Sequence, residues 1–335
     1  MKIIIDAFGG DYAPKEIIDG TVKALEEEKD FIAVLCGKEQ VINECLKEYS
    51  YDKSRIEIID APEIIENNES PTEAIRNKEK SSITVALNTL NSDKDAVGFV
   101  SAGSTGAVLT GSVLLLKRIR GINRPALCPV LPTVRDKNVL LMDCGANSDP
   151  KPMNIRDFAI MATAYSKSVF GIKEPVIGLL SNGTEDKKGN AFNKEVFPLL
   201  KATPNINFKG NIEGRDILSG DVDIVVCDGF SGNIALKSCE GTALAMFSLI
   251  KDGIVKGGLR AKLGYLLLKP VLKEIKKKMD YNNNGGAVLL GLEKIVVKSH
   301  GSSKSKAIKN SILQVKKLYD EKVVDNIKNE LLQNG

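Results

Sequence analysis

The stretch Val222-Asp223-Ile224-Val225-Val226-Cys227-Asp228-Gly229-Phe230-Ser231-Gly232-Asn233 decides the fold class. Its first half is β-branched and apolar at nearly every position, which suits a strand covered on both faces, and its second half turns at once to Asp, Gly, Ser and Asn. Similar apolar runs recur at Ile3 to Asp6, Phe31 to Cys36, Ile56 to Ile59, Ala96 to Val100, Val139 to Met142, Val176 to Leu180 and Ile206 to Phe208, alternating with longer segments of helical period. Parallel strands require helix-length crossovers, so this alternation predicts an α/β fold, an α/β/α sandwich around a mostly parallel sheet.

Gly and Pro fall between periodic segments and no internal repeat interrupts them, so residues 1 to 335 read as one domain. From 245 to 281 the texture changes. Gly253, Gly257, Gly258 and Gly264 punctuate apolar and Lys-rich pieces there and Pro270 breaks the pattern, which predicts a helical hairpin inserted in the domain. Along it Leu259, Leu263, Leu266 and Val271 alternate with Lys256, Arg260, Lys262 and Lys269, a basic amphipathic pattern that fits a membrane surface, a partner, or packing on the core or on a second subunit. After about Ser303, the spacing of Ile308, Ile312, Val315 and Leu318 predicts a terminal packing helix.

Composition narrows the partners. With 43% hydrophobic and 27% charged residues the chain is globular, and a net charge of +4 (47 Lys plus Arg against 43 Asp plus Glu) gives no ground for a nucleic-acid partner. The six cysteines are scattered without a CxxC pair, mostly inside apolar runs, which points to buried thiols in a reducing, cytoplasmic setting. No secretory signal is expected at Lys2-Ile3-Ile4-Ile5-Asp6, and the longest apolar stretches, near Val113 to Leu116 and Leu266 to Leu268, fall short of the roughly 20 residues that span a bilayer.

Ligands of parallel α/β sheets bind beyond the carboxyl ends of strands, so the loops that follow strands hold the candidate site. Ser101-Ala102-Gly103-Ser104-Thr105-Gly106 precedes a helical run, where glycines, hydroxyls and a helix N-terminus together form a phosphate cradle. The loop has neither the P-loop ending nor GxGxxG, and by itself it fits a tight turn equally well. Three more strand-end loops share its character: Asp143 to Asn147, Ser181 to Asn190 and Asp228 to Asn233. Helix capping explains any one of them, and their repetition favours a site.

His300 is the only histidine, so a His-only zinc centre is excluded and a conventional Ser-His-Asp triad has little material. Asp6, Asp11, Asp143 and Asp228 form no DxD-type pair, and no obligatory metal or cofactor is expected. Lys188 in its Gly/Asn-rich loop, and Arg76 and Lys78 ahead of Ser81, are cations that could hold a phosphate or an acidic partner, or form a solvated helix face.

Taken in order, the motifs Ile5 to Pro14, Ser101 to Gly106, Gly121 to Ala126, Asp143 to Asn147, Lys188-Gly189-Asn190, Gly210 to Asp216, Cys227 to Asn233, Gly285-Gly286-Ala287 and Lys298 to Ser302 resemble the bacterial phosphate acyltransferase family PlsX, acyl-(acyl carrier protein):phosphate acyltransferases, along nearly the whole chain. Phe8 and Ser104 stand where that family usually has Met and Asn, and the Ser181 to Asp186 loop departs from its common pattern. The resemblance implies a Rossmann-like fold related to phosphotransacetylases and isocitrate-dehydrogenase-like enzymes. It also implies transfer of a long-chain acyl group from acyl carrier protein to inorganic phosphate, a homodimer, peripheral membrane contact and coupling to a glycerol-3-phosphate acyltransferase in phospholipid synthesis.

The residue types suit that chemistry, because a thiol of pKa about 8.5 leaves readily and phosphate is already an anionic nucleophile. Holding phosphate against the thioester and stabilising the oxyanion are tasks for amides, hydroxyls and a lysine. Lys188, Asp228, His300 and Asn233 are therefore the expected catalytic residues. Ser104, Thr105, Gly106, Asn147, Asn190, Gly229, Gly232, Arg76 and Lys78 are the expected substrate and phosphate contacts. Two rivals stand beside this reading: a nucleotide or nicotinamide enzyme on the same fold, disfavoured by Ala7-Phe8-Gly9-Gly10-Asp11 after the first strand, and a membrane-docked scaffold without turnover.

Overall fold

In a computed structural model that describes residues 1–278 and 285–334, the apolar runs form strands β1 (Lys2–Asp6), β2 (Ile32–Gly37), β3 (Ile56–Asp60), β4 (Ala96–Ser101), β5 (Ala126–Cys128), β6 (Val130–Pro132), β7 (Asn138–Met142), β8 (Val176–Ser181), β9 (Asn207–Glu213), β10 (Ile224–Val226), β11 (Ala287–Leu290) and β12 (Ile295–Lys298). The helices are α1 (Lys15–Glu27), α2 (Glu39–Leu46), α3 (Pro71–Asn77), α4 (Ser82–Ser92), α5 (Thr105–Leu115) and α6 (Pro152–Phe170). They continue with α7 (Ala191–Ala202), α8 (Gly229–Lys256), α9 (Gly258–Lys278), α10 (Ser305–Asp320) and α11 (Val323–Asn334).

The strands build two sheets where the sequence pattern predicts one. The first runs β3-β2-β1-β4-β12-β11-β5 and the second β6-β7-β10-β8-β9. Most pairs are parallel; β11 is antiparallel to both its neighbours, and β6 is antiparallel to β7. The chain passes from one sheet to the other at Pro129, between β5 and β6, where proline donates no ladder hydrogen bond. Strands of three residues carry too little pattern to reveal that passage in the sequence.

Burial explains the strand composition. Ile3, Ile4 and Ile5 are fully buried because α1 and α10 cover one face of the first sheet and α4 and α5 the other. A continuous apolar cluster joins Ile3 and Ile5 to Cys128 and Val130 and on to Leu140 and Ile224, so both sheets share a core, with Phe158 and Tyr165 of α6 inside it. Cys36, Cys128, Cys144 and Cys227 are buried thiols, while Cys45 and Cys239 are partly exposed.

The hairpin differs from its expected bounds. Its first arm is α8, which begins at Gly229 and runs through Gly241 and Gly253 without a break; the reversal falls at Gly258, whose φ of +69° is open to glycine. Pro270 lies inside α9 and does not end it. The expected hairpin residues 279–281 lie outside the described residues. The single terminal helix is two, α10 and α11, parted at Lys322, which has φ 51°. No helix among the described residues is long and apolar enough to cross a membrane.

Asp157 of α6 carries a pH signature of this packing. Burial pushes its carboxyl from 3.8 up to about 6, against the Arg156 guanidinium. The folded state thus holds the proton more tightly than the unfolded chain, so this group costs nothing well below its ordinary range and destabilises the fold as pH rises through about 6. Asp157→Asn should raise the urea midpoint above about pH 6, with the two proteins converging as pH falls toward 3.8.

Candidate active site

Two buried carboxylates at strand ends assemble the site. Asp143, just past β7, accepts hydrogen bonds at Oδ1 from the amides of Leu127 (2.9 Å) and Ala146 (3.2 Å), and at Oδ2 from the backbone amide (2.6 Å) and side-chain amide (2.9 Å) of Asn147. Burial raises its pKa and these donors oppose the rise. Leu127 belongs to β5, so Asp143 of one sheet clamps the edge of the other, helped by the Cys144 amide donating to the Leu127 carbonyl at 3.0 Å.

The first turn of α8 docks on the same loop. Gly229 N–H donates to the Asn147 carbonyl at 2.7 Å, and a Cβ at Gly232 would stand 1.9 Å from the Asp143 carbonyl oxygen. Asp6 plays the matching part at the end of β1. It is fully buried, with its pKa raised by burial, and accepts from Ser101 Oγ at 2.6 Å and the Phe8 amide at 3.2 Å. The Asp11 amide donates to the Gly301 carbonyl (2.8 Å) and the Ser299 amide to the Ser101 carbonyl (2.9 Å), binding the exits of β1, β4 and β12 together.

Between these anchors lies a cleft of about 250 Å³. Its polar lining comes from Thr105 at the start of α5, Asn233, Lys237 and Glu240 of α8, and Lys298, Ser299 and His300 at the exit of β12. Leu127, Pro129, Val130 and Leu131 of the strand crossover, with Leu236 of α8, supply an apolar lining. Lys237 pairs with Glu240 one turn along the helix at 2.7 Å.

His300 sits at the exposed rim. Its Nδ1 accepts the Ser302 backbone N–H at 3.2 Å and contacts Ser302 Oγ at 2.8 Å, which places the proton of the neutral ring on Nε2. Partial burial, and then the Lys237 ammonium, hold its pKa below the ordinary value. Lys298 is buried, 7% exposed, and burial lowers its ammonium to about 8.

The cleft therefore brings together Thr105, Asn233 and His300 from the residues expected on sequence grounds, and adds Lys298, Lys237 and the apolar crossover. The other expected residues have different work. Ser104, Asn190 and Asp228 are helix N-caps, accepting from the amides of Ala107 (3.5 Å), Asn193 (2.8 Å) and Ser231 (2.8 Å). Asn147 spends its side-chain amide on Asp143 and the Pro125 carbonyl at 2.8 Å. Gly229 and Gly232 admit the Asp143 loop, and Gly106 admits Pro71 of α3, since a Cβ there would come within 2.6 Å of the Pro71 ring. Lys188 is exposed in the loop after β8, outside the cleft lining, because β10 stands between β8 and β7 in the second sheet. Lys78 donates to Glu69 (2.7 Å) and the Ile64 carbonyl (2.8 Å), tying down its own loop, and Arg76 is exposed on α3. Among the described residues no group of three or more His, Cys, Asp or Glu side chains is placed to hold a metal. The signal for Lys298 was present in the sequence: a lysine closing the otherwise apolar strand Ile295-Val296-Val297.

Two mostly parallel sheets with flanking helices and a cleft at the strand ends define a Rossmann-like α/β fold of the phosphotransacetylase kind. The EutD phosphotransacetylase from Staphylococcus aureus matches it with a TM-score of 0.58 at 16% identity, over 95% of this chain and 94% of that one. A phosphotransacetylase from Streptococcus pyogenes matches with a TM-score of 0.58 at 18% identity, over 97% and 94%. In sequence, the phosphate acyltransferase of Clostridium beijerinckii is 48% identical over 331 residues, 98% of each chain, and that of Halothermothrix orenii is 48% identical over 336 residues, 100% of each. A family model described as "Fatty acid synthesis protein" matches residues 1–326, and the chain belongs to that family of phosphate acyltransferases, enzymes of the acyltransferase class.

Two measurements check the site's construction. Gly232→Ala should lose about 1–3 kcal/mol in urea unfolding, the usual cost of overpacking. Gly241→Ala, where a Cβ meets nothing within 4 Å, should be neutral or gain up to about 1 kcal/mol from helix propensity. The lone imidazole should titrate by proton NMR with a midpoint below 6.5, and Lys237→Ala should move that midpoint upward.

Proposed function

We propose that this enzyme transfers a long-chain fatty acyl group from acyl carrier protein to inorganic phosphate, giving an acyl phosphate for phosphatidic acid synthesis. The observation that carries this reading is the composition of the cleft, in which donors suited to an anion stand beside an apolar lining suited to an acyl chain.

A phosphate oxygen attacks the thioester carbonyl carbon, an O–C bond forms, the tetrahedral intermediate collapses, and the C–S pair leaves with sulfur as thiolate. No enzyme nucleophile is needed, because phosphate is already anionic and the thiol is a good leaving group. Thr105, at the N-terminus of α5, and Asn233 orient the phosphate, and His300, neutral with its proton on Nε2, donates to the carbonyl oxygen as negative charge develops there. A donor of this kind typically contributes about 10²–10³ in turnover. Lys188 and Asp228 take no direct part in this scheme: Lys188 is solvent-exposed and Asp228 caps α8.

Acyl carrier protein would dock through its acidic surface on the exposed cations Arg76, Lys80, Arg118 and Arg120 and on hairpin lysines. The hairpin supports the homodimer and the peripheral membrane contact in this reading, since Leu249, Leu259 and Leu267 are 71%, 79% and 81% exposed. An acyl phosphate chain favours lipid by about 0.8 kcal/mol per CH₂, which suits delivery to a membrane glycerol-3-phosphate acyltransferase. The same exposed hairpin favours the second reading, a membrane-docked scaffold without turnover.

Phosphate-dependent release of free thiol from a long-chain acyl carrier protein, with mass spectrometry of the product and no metal or nicotinamide added, separates the two. Acyl phosphate is the expected product. A folded protein that is inert in this assay overturns the acyl carrier protein reading and brings forward another acyl donor or the scaffold.

A further inference from the structure

Lys298 is mounted rigidly. It closes β12, pairs in register with Ser101 of β4 and Ala287 of β11, and is 7% exposed, yet it is among the residues that line the cleft. Its ammonium donates to the Ser299 carbonyl, and among the described residues it makes no ion pair with a carboxylate.

The charged groups around it are few. From β1 and the loop after it come Asp6 and Asp11; from α8 come Lys237 and Glu240; His300 follows on its own strand exit. Asp6 is occupied by Ser101 and the Phe8 amide and is itself pushed toward its neutral form by burial, Glu240 is paired with Lys237, and the Lys237 charge repels. An ammonium held out of water needs a contacting anion or gives up its proton. The cleft, of about 250 Å³, leaves room for that anion, and Thr105, Asn233 and His300 line it as well.

We propose that the Lys298 ammonium is the group that holds the anionic phosphate co-substrate in the cleft, as a catalytic residue in direct contact with it. This rests on the transferase reading above for the identity of the anion. Without phosphate the side chain loses its proton near pH 8, and a bound dianion restores it, so phosphate binding takes up a proton and weakens as pH rises through that value. Arginine in the same place stays charged.

The test is isothermal calorimetry of inorganic phosphate, without acyl donor, on wild type, Lys298→Gln and Lys298→Arg, in two buffers of unlike ionisation heat on either side of pH 8. Expected are loss of phosphate affinity by at least about tenfold in the Gln variant, the effect of removing a charged hydrogen bond, and proton uptake in wild type that is absent from both variants. The Arg variant should bind phosphate with little dependence on pH. In steady state, Lys298→Gln should raise KM for phosphate and leave KM for the acyl donor unchanged.

A folded Gln variant with wild-type phosphate affinity overturns the proposal. Should that variant fail to fold, wild-type binding with no proton uptake above about pH 8 overturns it equally. Because no acyl donor is present, Lys298-dependent phosphate binding in a protein without turnover would count against the transferase reading alone.

Discussion

The Asp143 carboxylate is the interaction on which the rest of the molecule depends. It stands at the end of β7 in the second sheet and accepts an amide from β5 in the first. Its remaining donors hold the Asp143 to Asn147 loop, and that loop receives the first turn of α8. Two sheets and a long helix thus meet at one buried anion. Such a group is costly unless its acceptor sites are filled, and here backbone and side-chain amides fill them. The cleft is the space left between the parts so fixed, and Leu127 and Cys144 beside Asp143 line it.

This construction explains why the small polar residues at strand ends divide into two kinds. In Asp228, Ser104 and Asn190 the side chain turns back to a backbone amide of its own helix, which satisfies an orphan donor and positions the helix start. Thr105 and Asn233 lie within the first turns of the helices so capped and line the cavity. The caps fix where the helices begin; the residues just beyond them line the cleft. A sequence shows the same composition for both, because Ser, Asn and Asp are favoured at caps and at anion sites for the same hydrogen-bonding reason.

Outside the shared core, α8 and α9 pack chiefly on each other, and α9 buries no side chain, which leaves an apolar surface of unusual extent for a chain of this size. Yet the root of α8 carries Asn233, Leu236 and Lys237, which line the cleft. The exposed arm and the cleft therefore share one helix.

The sequence alone determined the α/β class, the positions of the long strands along the chain and the strand ends as the place of the cleft, because burial on both faces forces runs such as Ile3-Ile4-Ile5 and Ile224-Val225-Val226 whatever surrounds them. Thr105, Asn233 and His300 were also legible from their loops. Tertiary structure decided what depends on distance across the chain. The split into two sheets turns on three-residue strands around Pro129, too short for a periodic signal. Lys298 is buried because it ends β12, a central strand between β4 and β11, whereas Lys188 is exposed in the loop after β8, which β10 separates from β7. The roles of Gly229 and Gly232 depend on a loop some 80 residues earlier in the chain, a proximity that only folding creates.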